Sequence, residues 1–155
     1  MAPPAAPHSS APRAAMHSML REFGVALPAE AERHFATRLA VECDPADLHT
    51  DLDRRVAGVV LLDVRAADAF AECHIPGALN LPYRRITAET TALWPRETLL
   101  VVYCSGATCN ASTKACLRLS ALGFQVKELV GGLAGWRREG FPVAGSLGAN
   151  APGEA

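Results

Sequence analysis

One stretch, LLVVYCSGATCNASTKA, contains a cysteine in a setting that favours thiol chemistry. The apolar run at 99–103 predicts a strand buried on both faces, and Cys104 follows it directly. A helix is predicted from residue 110, so the short segment between the two can curl around the sulfur. Backbone N–H groups and the helix dipole would then hold an anion there and lower the pKa of the thiol. This arrangement suits a thiolate or persulfide nucleophile, although a free cysteine is also often a small buried core residue.

The segment after Cys104 is made of small, hydroxylated or amide residues. It supplies the candidate anion-binding positions Ser105, Gly106, Ala107, Thr108, Cys109 and Asn110. Cys109 follows Cys104 by five positions, so on a curled loop the two sulfur atoms can come within disulfide range. Cys109 is then a resolving thiol, or it is a small buried residue at the start of the helix. The spacing leaves both roles open.

Composition and charge narrow the class of protein. The chain has 155 residues, of which 50% are hydrophobic and 20% charged, with a formal net charge of -1. These values are typical of one globular domain with tails, and they give no electrostatic case for binding nucleic acid or an anionic membrane. No run approaches the roughly 20 apolar residues of a spanning helix. The proline-broken start, MAPPAAPHSSAPRAA, is unlike a secretion signal, so we expect a soluble cytoplasmic protein.

The cysteines do not form a pattern typical of disulfides or metal. They are five in number, an odd count, at positions Cys43, Cys73, Cys104, Cys109 and Cys116. A structural zinc site needs paired ligands two to five residues apart, with a second such pair elsewhere. The spacings here do not supply two pairs, so we expect no metal.

Strands and helices are predicted to alternate along the chain. Strands are predicted at 58–64, 99–103 and 125–130, and helices at 28–43, 44–55, 66–72, 87–94, 110–122 and after 131. Such alternation favours an α/β fold with a parallel sheet and helices on both faces. Ligands in such folds bind beyond the carboxyl ends of the strands, which is where Cys104 lies.

Four segments, in order, resemble the rhodanese-homology family of sulfurtransferases. They are LLDVR at 61–65, HIPGALNLP at 74–82, VVYCSG at 101–106 and LVGGLAGWRREGFPV at 129–143. The second is similar to the family's His-Ile-Pro-Gly-Ala motif, and the last resembles its closing Gly-Gly-x-x-x-Trp segment. The resemblance covers roughly residues 42–144.

The resemblance implies a three-layer sandwich with a five-stranded parallel sheet. The expected domains are a disordered arm at 1–15, a helical extension at 16–41, a rhodanese-like domain at 42–144 and a flexible tail at 145–155. Cys104 would take sulfane sulfur from a donor such as thiosulfate and pass it, as a persulfide, to cyanide or to a small or protein thiol. Asp63 and Arg65 would support the loop. No organic cofactor or metal is implied, and neither nucleic acid nor membrane is an expected partner.

The loop departs from the family pattern in its charge. Many members have Arg directly after the nucleophile and Arg or Thr later in the loop, where this chain has Ser105 and Cys109. The departure puts the affinity for thiosulfate in question. Lys114 could supply some positive charge, although a solvated position on the helix surface is the more usual fate of a lysine.

Two other functions remain as alternatives. Phosphatases and arsenate reductases of related fold use a cysteine followed by five residues and an Arg, but position 110 holds Asn110, which cannot clamp a phosphate with two hydrogen bonds as guanidinium does. The second alternative is a sulfur carrier or thiol redox sensor without turnover, which would use Cys104 and Cys109.

Overall fold

The apolar run after Thr98 forms the middle strand of a parallel sheet in the computed structural model, which describes residues 16–147. Within that range the strands are β1 (Glu42–Cys43), β2 (Val59–Asp63), β3 (Leu79–Asn80), β4 (Leu99–Tyr103) and β5 (Gln125–Leu129). They lie in the order β1-β5-β4-β2-β3, and each neighbouring pair is parallel. The carboxyl ends of the strands therefore meet at one edge, which is where α/β folds bind ligands.

The helices follow the strands in the alternating order that the sequence predicts. They are α1 (Pro28–Val41), α2 (Pro45–Asp53), α3 (Ala67–Glu72), α4 (Ala111–Ala121) and α5 (Gly132–Arg138), with 3-10 helices at Met19–Arg21 and Tyr83–Arg85. Helix α2 begins as expected, because the Asp44 carboxylate accepts a hydrogen bond from the Asp47 N–H at 2.8 Å and Pro45 needs no donor in the first turn.

Strand β4 supplies side chains to both faces of the sheet, as the alternation of a strand requires. On one face Tyr103 packs in a cluster with Leu48 of α2 and Trp136 of α5. On the other face Val102, and Cys104 directly after the strand, pack in a cluster with Leu119 of α4. Helices cover both faces, which confirms the predicted three-layer α/β sandwich with a five-stranded parallel sheet.

Two local predictions were wrong. Residues 42 and 43, predicted as the end of the first helix, form β1 and pair with β5. Residues 87–94, predicted as a helix, form turns. There the Thr90 hydroxyl donates to the Arg85 carbonyl at 2.7 Å, and the Thr91 hydroxyl donates to the Thr87 carbonyl at 2.8 Å. Such side-chain bonds compete with the backbone bonds of a helix, and propensity alone did not account for them.

The described residues separate into two compact units, one ending at His34 and the other beginning at Phe35. The first contains the Met19–Arg21 helix and the start of α1, where the Glu30 carboxylate accepts a hydrogen bond from the Leu27 N–H at 3.2 Å. The second contains the sheet. The predicted arm at 1–15 and residues 148–155 of the predicted tail lie outside the described residues. The other domain limits stay predictions. Over residues 16–147 no helix is long and apolar enough to cross a membrane.

Candidate functional site

Cys104 lies at the carboxyl edge of the sheet, directly after β4, as predicted. Its side chain is 1% exposed and packs with the apolar residues beneath α4. Three groups surround its sulfur atom. The Cys109 carbonyl oxygen is 3.1 Å from Sγ, the Ser112 hydroxyl oxygen 3.2 Å and the Gly106 carbonyl oxygen 3.9 Å. The loop therefore curls around the sulfur, which is the geometry that the sequence predicts.

Helix α4 and strand β5 add a carboxylate to this arrangement. Ser112, in the first turn of α4 and 3% exposed, donates a hydrogen bond to Glu128 Oε1 at 2.6 Å. Thr113 donates to the same oxygen at 2.8 Å. The sequence analysis missed all three residues. The available signal was an acidic residue inside the strand predicted at 125–130, where a carboxylate needs a partner if it faces the interior.

The thiol pKa values depart from the expectation. Burial raises the pKa of Cys104, and the contact with Ser112, which lowers the pKa, does not offset burial. The prediction that the loop lowers the pKa of Cys104 was therefore wrong. The reason is the burial of the sulfur among the apolar residues beneath α4, which disfavours the charged thiolate, and the neighbouring Cys109 raises the pKa further.

Cys109 is the more acidic of the two thiols. Burial alone would raise its pKa, but interactions with the Ala111 backbone, Cys104 and Ser105 outweigh burial and lower it. The Cys109 side chain is half-buried, whereas Cys104 is buried. The outer of the two thiols therefore holds its proton less tightly.

The N-terminus of α5 holds the backbone of the loop. The Leu133 N–H donates to the Cys104 carbonyl at 2.9 Å, and the Ala134 N–H donates to the Ser105 carbonyl at 2.9 Å. Gly132, at φ +55°, makes this approach possible, because a Cβ there would lie 2.5 Å from the Cys104 carbonyl oxygen. The Gly-Gly pair at 131–132 thus positions the loop.

A cavity of about 300 Å³ opens beside the loop. Of the predicted anion-binding residues, five line it: Gly106, Ala107, Thr108, Cys109 and Asn110. Ser105 is bound through its carbonyl to α5 instead. Asn110 is at the N-cap of α4 and its side chain makes no capping bond. The three residues whose atoms surround the Cys104 sulfur all line the cavity, as does Glu128. A ligand in the cavity would therefore contact the residues that surround the sulfur.

Asp63 and Arg65 form a closed ion pair at the end of β2. The Arg65 guanidinium binds both Asp63 oxygens at 2.6 to 3.1 Å and also donates to the Cys73 carbonyl. Burial opposes the charge of Arg65, but the hydrogen bonds and charge of Asp63 raise its pKa. Asp63 also faces Tyr103, its neighbour on β4, and the Tyr103 hydroxyl accepts from the Ile75 N–H at 3.0 Å. The pair thus supports the strand end that precedes Cys104.

The loop from Cys104 to Asn110 contains no lysine or arginine. Lys114 is exposed on α4, with its ammonium nitrogen 5.8 Å from the centre of the Tyr83 ring. The loop itself supplies hydroxyls and amides. Over residues 16–147 no cluster of His, Cys, Asp and Glu is arranged to hold a metal ion.

Known proteins are similar to this chain in sequence and in fold. Residues 44–139 match the family described as the rhodanese-like domain. A sulfurtransferase from Allochromatium vinosum is 36% identical over 92 residues, which cover 58% of this chain and 82% of that protein. The HTH-type transcriptional regulator Rv0324 of Mycobacterium tuberculosis is 39% identical over 93 residues, which cover 59% of this chain and 41% of the regulator. The crystal structure of the BH2092 protein from Bacillus halodurans has a TM-score of 0.78 and 43% identity, over 83% of this chain and 94% of that one.

The extent of these matches decides what they establish. The chain spans less than half the length of the regulator, so the match reaches one part of that protein. The family match covers more than half of this chain, and it includes Asp63, Arg65 and the whole segment from Cys104 to Gly132. On that basis the chain belongs to the rhodanese-like domain family, which includes proteins named as sulfurtransferases.

Proposed function

We propose that this protein is a sulfurtransferase that carries sulfane sulfur on Cys104. The observation that supports the proposal is the position of this thiol, which follows β4 in a curled loop whose residues line a cavity of about 300 Å³. The Cys104 thiolate attacks the outer sulfur of thiosulfate, which forms Cys104–S–S⁻ and releases sulfite. The persulfide then gives its outer sulfur to cyanide or to a thiol, and the Cys104 thiolate returns.

The donor in this proposal is a small anion. The cavity has the volume of a small-ligand site, and the first turn of α4 lines it at Ser112 and Thr113. The N-terminal end of a helix favours negative charge. Because Cys104 is 1% exposed, the loop must shift for the donor to reach its sulfur. Because the loop lacks a guanidinium and the carboxylates of Glu42 and Glu128 line the same cavity, we expect thiosulfate to bind weakly. A persulfide or a protein could then be the donor instead.

The proposal is tested by intact-mass spectrometry of the protein after incubation with thiosulfate. Wild type should gain the mass of one sulfur atom and release thiocyanate when cyanide is added. Cys104→Ser should do neither, whereas Cys109→Ser should still gain sulfur. A wild-type protein that gains no sulfur from thiosulfate or from a persulfide donor contradicts the proposal.

A second function is favoured by the closeness of Cys104 and Cys109. The Cys109 carbonyl oxygen is 3.1 Å from the Cys104 sulfur, and Cys109 has a lowered pKa, so hydrogen peroxide would oxidise the pair to a disulfide with two molecules of water as product. The similar regulator from Mycobacterium tuberculosis is named for transcription, which suits a sensing role. Loss of two hydrogens under mild peroxide, dependent on both cysteines and without any sulfur gain, would favour this function over transfer.

A further inference from the structure

The hydrogen bonds around Cys104 have a direction. A serine hydroxyl carries one proton, and Ser112 uses it to donate to Glu128 Oε1 at 2.6 Å. Ser112 Oγ can therefore only accept from the Cys104 thiol, 3.2 Å away. The thiol proton has another acceptor, the Cys109 carbonyl at 3.1 Å, but that oxygen is not a base. The route that ends on a base runs from the thiol, through the hydroxyl, to the carboxylate.

We propose that Glu128 takes the Cys104 proton through Ser112 as Cys104 attacks a sulfur donor. The Cys104 proton moves to Ser112 Oγ while the Ser112 proton moves to Glu128, which gives a thiolate, a hydroxyl and a carboxylic acid. The hydroxyl then donates to the sulfur instead of accepting from it. After sulfur is passed on, the same route returns the proton to the thiolate. The inference rests on the proposed role of Cys104 as sulfur carrier.

The need for a base follows from the burial of the thiol. Because burial raises the pKa of Cys104, little thiolate is present at neutral pH. The usual remedy is a nearby cation, but the loop has none, and the exposed Lys114 stands over the Tyr83 ring. A positioned carboxylate that receives the proton during attack is the other way to activate a thiol.

The charged and titratable groups around Glu128 leave it available as a base. Glu42 is its partner on β1 and lines the same cavity, but Arg38 pairs with Glu42 at 3.0 Å. Lys127, the preceding residue on β5, binds the carbonyls of Leu39 and Glu42.

Two further thiols lie near Glu128. On α4, burial and the charge of Glu128 raise the pKa of Cys116 to about 12, so Cys116 stays neutral. Cys109 shares the cavity with Glu128. The Glu128 carboxylate accepts hydrogen bonds from the Ser112 and Thr113 hydroxyls, which carry no charge and so do not neutralise it.

The test measures how fast iodoacetamide alkylates Cys104 as a function of pH. The tryptic peptide 97–114 contains both loop cysteines, and fragmentation in the mass spectrometer reads each one separately. Wild type is compared with Ser112→Ala and Glu128→Gln, which interrupt the route at two places. Thr113→Val is the matched control, because Thr113 binds the same carboxylate oxygen, whereas the hydroxyl at the Cys104 sulfur belongs to Ser112.

Below the thiol pKa the alkylation rate of wild type should level off. The path assisted by Glu128 starts from the protonated thiol, so its rate does not fall as the thiolate disappears. The rates of Ser112→Ala and Glu128→Gln should fall by roughly tenfold for each pH unit, as expected for a thiol that must ionise first. Thr113→Val should level off like wild type.

Three results would overturn the inference. They are an alkylation rate of wild type that does not level off at low pH, levelling that persists in Glu128→Gln, and a loss of levelling in Thr113→Val like that of the other two variants. Faster alkylation of Glu128→Gln at every pH would mean that Glu128 acts only as a repelling charge. The proposed function is judged separately, since alkylation requires no sulfur donor. Levelling in wild type without sulfur gain would contradict sulfur transfer and leave the proton route standing.

Discussion

Two carboxylates at the same edge of the sheet are held in different ways. Asp63, fully buried at the end of β2, is bound by the Arg65 guanidinium and by the Arg65 backbone N–H. Glu128, half-buried on β5, is bound by two hydroxyls and lines the cavity. The donors to Asp63 keep their protons at every accessible pH. Glu128 instead stands at the end of a series of groups, the Cys104 thiol and the Ser112 hydroxyl, that can each give or take a proton.

The difference separates a structural role from a chemical one. Guanidinium stays protonated at every accessible pH, so the Asp63–Arg65 pair fixes the position of the strand ends and nothing more. A hydroxyl both donates and accepts, so Ser112 can reverse its hydrogen bonds when Cys104 loses its proton. We therefore expect changes at the first carboxylate to affect mainly stability, and changes at the second to affect mainly reactivity.

The largest effect on stability should come from Asp63→Asn. It leaves the Arg65 charge partly buried without its partner, which in comparable pairs costs about 3–5 kcal/mol. The free energy of unfolding is measured by urea denaturation. Glu128→Gln should cost less than about 1.5 kcal/mol, because an amide oxygen can still accept from a hydroxyl. Equal losses for the two variants would contradict the comparison.

Gly132→Ala should produce the next largest effect. The added Cβ would lie 2.5 Å from the Cys104 carbonyl oxygen, so α5 or the loop must move, at a cost of about 1–3 kcal/mol. Sulfur loading of Cys104 should fall with it. Gly140→Ala is the matched control, because Gly140 also has positive φ but nothing lies within 4 Å of its added Cβ. A control that loads sulfur as poorly as Gly132→Ala would show that backbone strain alone explains the loss.

Alkaline pH should destabilise the fold through its buried thiols. Burial raises the pKa of Cys43 to about 11 and that of Cys116 to about 12, from an ordinary 9.0. Because the folded state keeps these protons longer than the unfolded state, stability is complete below pH 9.0 and is lost as pH rises toward 12. Unfolding free energies measured across this range should fall less steeply for Cys116→Ala than for wild type. A parallel fall in both would contradict the role of Cys116.

The smallest effect should come from Arg38→Gln. The Arg38–Glu42 pair is also an ion pair, but its side chains are 53% and 34% exposed, against 14% and 0% for Arg65 and Asp63. An exposed pair contributes about 0–1 kcal/mol, so the urea midpoint should hardly move. A loss as large as that of Asp63→Asn would mean that burial does not explain the difference between the two pairs.

The sequence predicted the central strands, the position of Cys104 and the loop, because each depends on local pattern: an apolar run, a cysteine at its end and a helix start. The edge strand β1 was not predicted, because its two residues are too few to show an alternating pattern. They adopt the strand conformation by pairing with β5. The role of Glu128 in the site was not predicted either, because its contact with Ser112 joins residues 16 positions apart on different elements. The raised pKa of Cys104 depends on its burial in the folded chain, which spacing along the sequence does not reveal.

The role of Cys104 is tested most directly by finding which cysteine carries the transferred sulfur atom. After a single turnover with a limiting sulfur donor, the peptide 97–114 is fragmented to find which cysteine carries the added atom. The account predicts a persulfide on Cys104, although Cys109 is the more exposed thiol and has the lowered pKa. Sulfur found on Cys109 alone, and retained in Cys104→Ser, would contradict it.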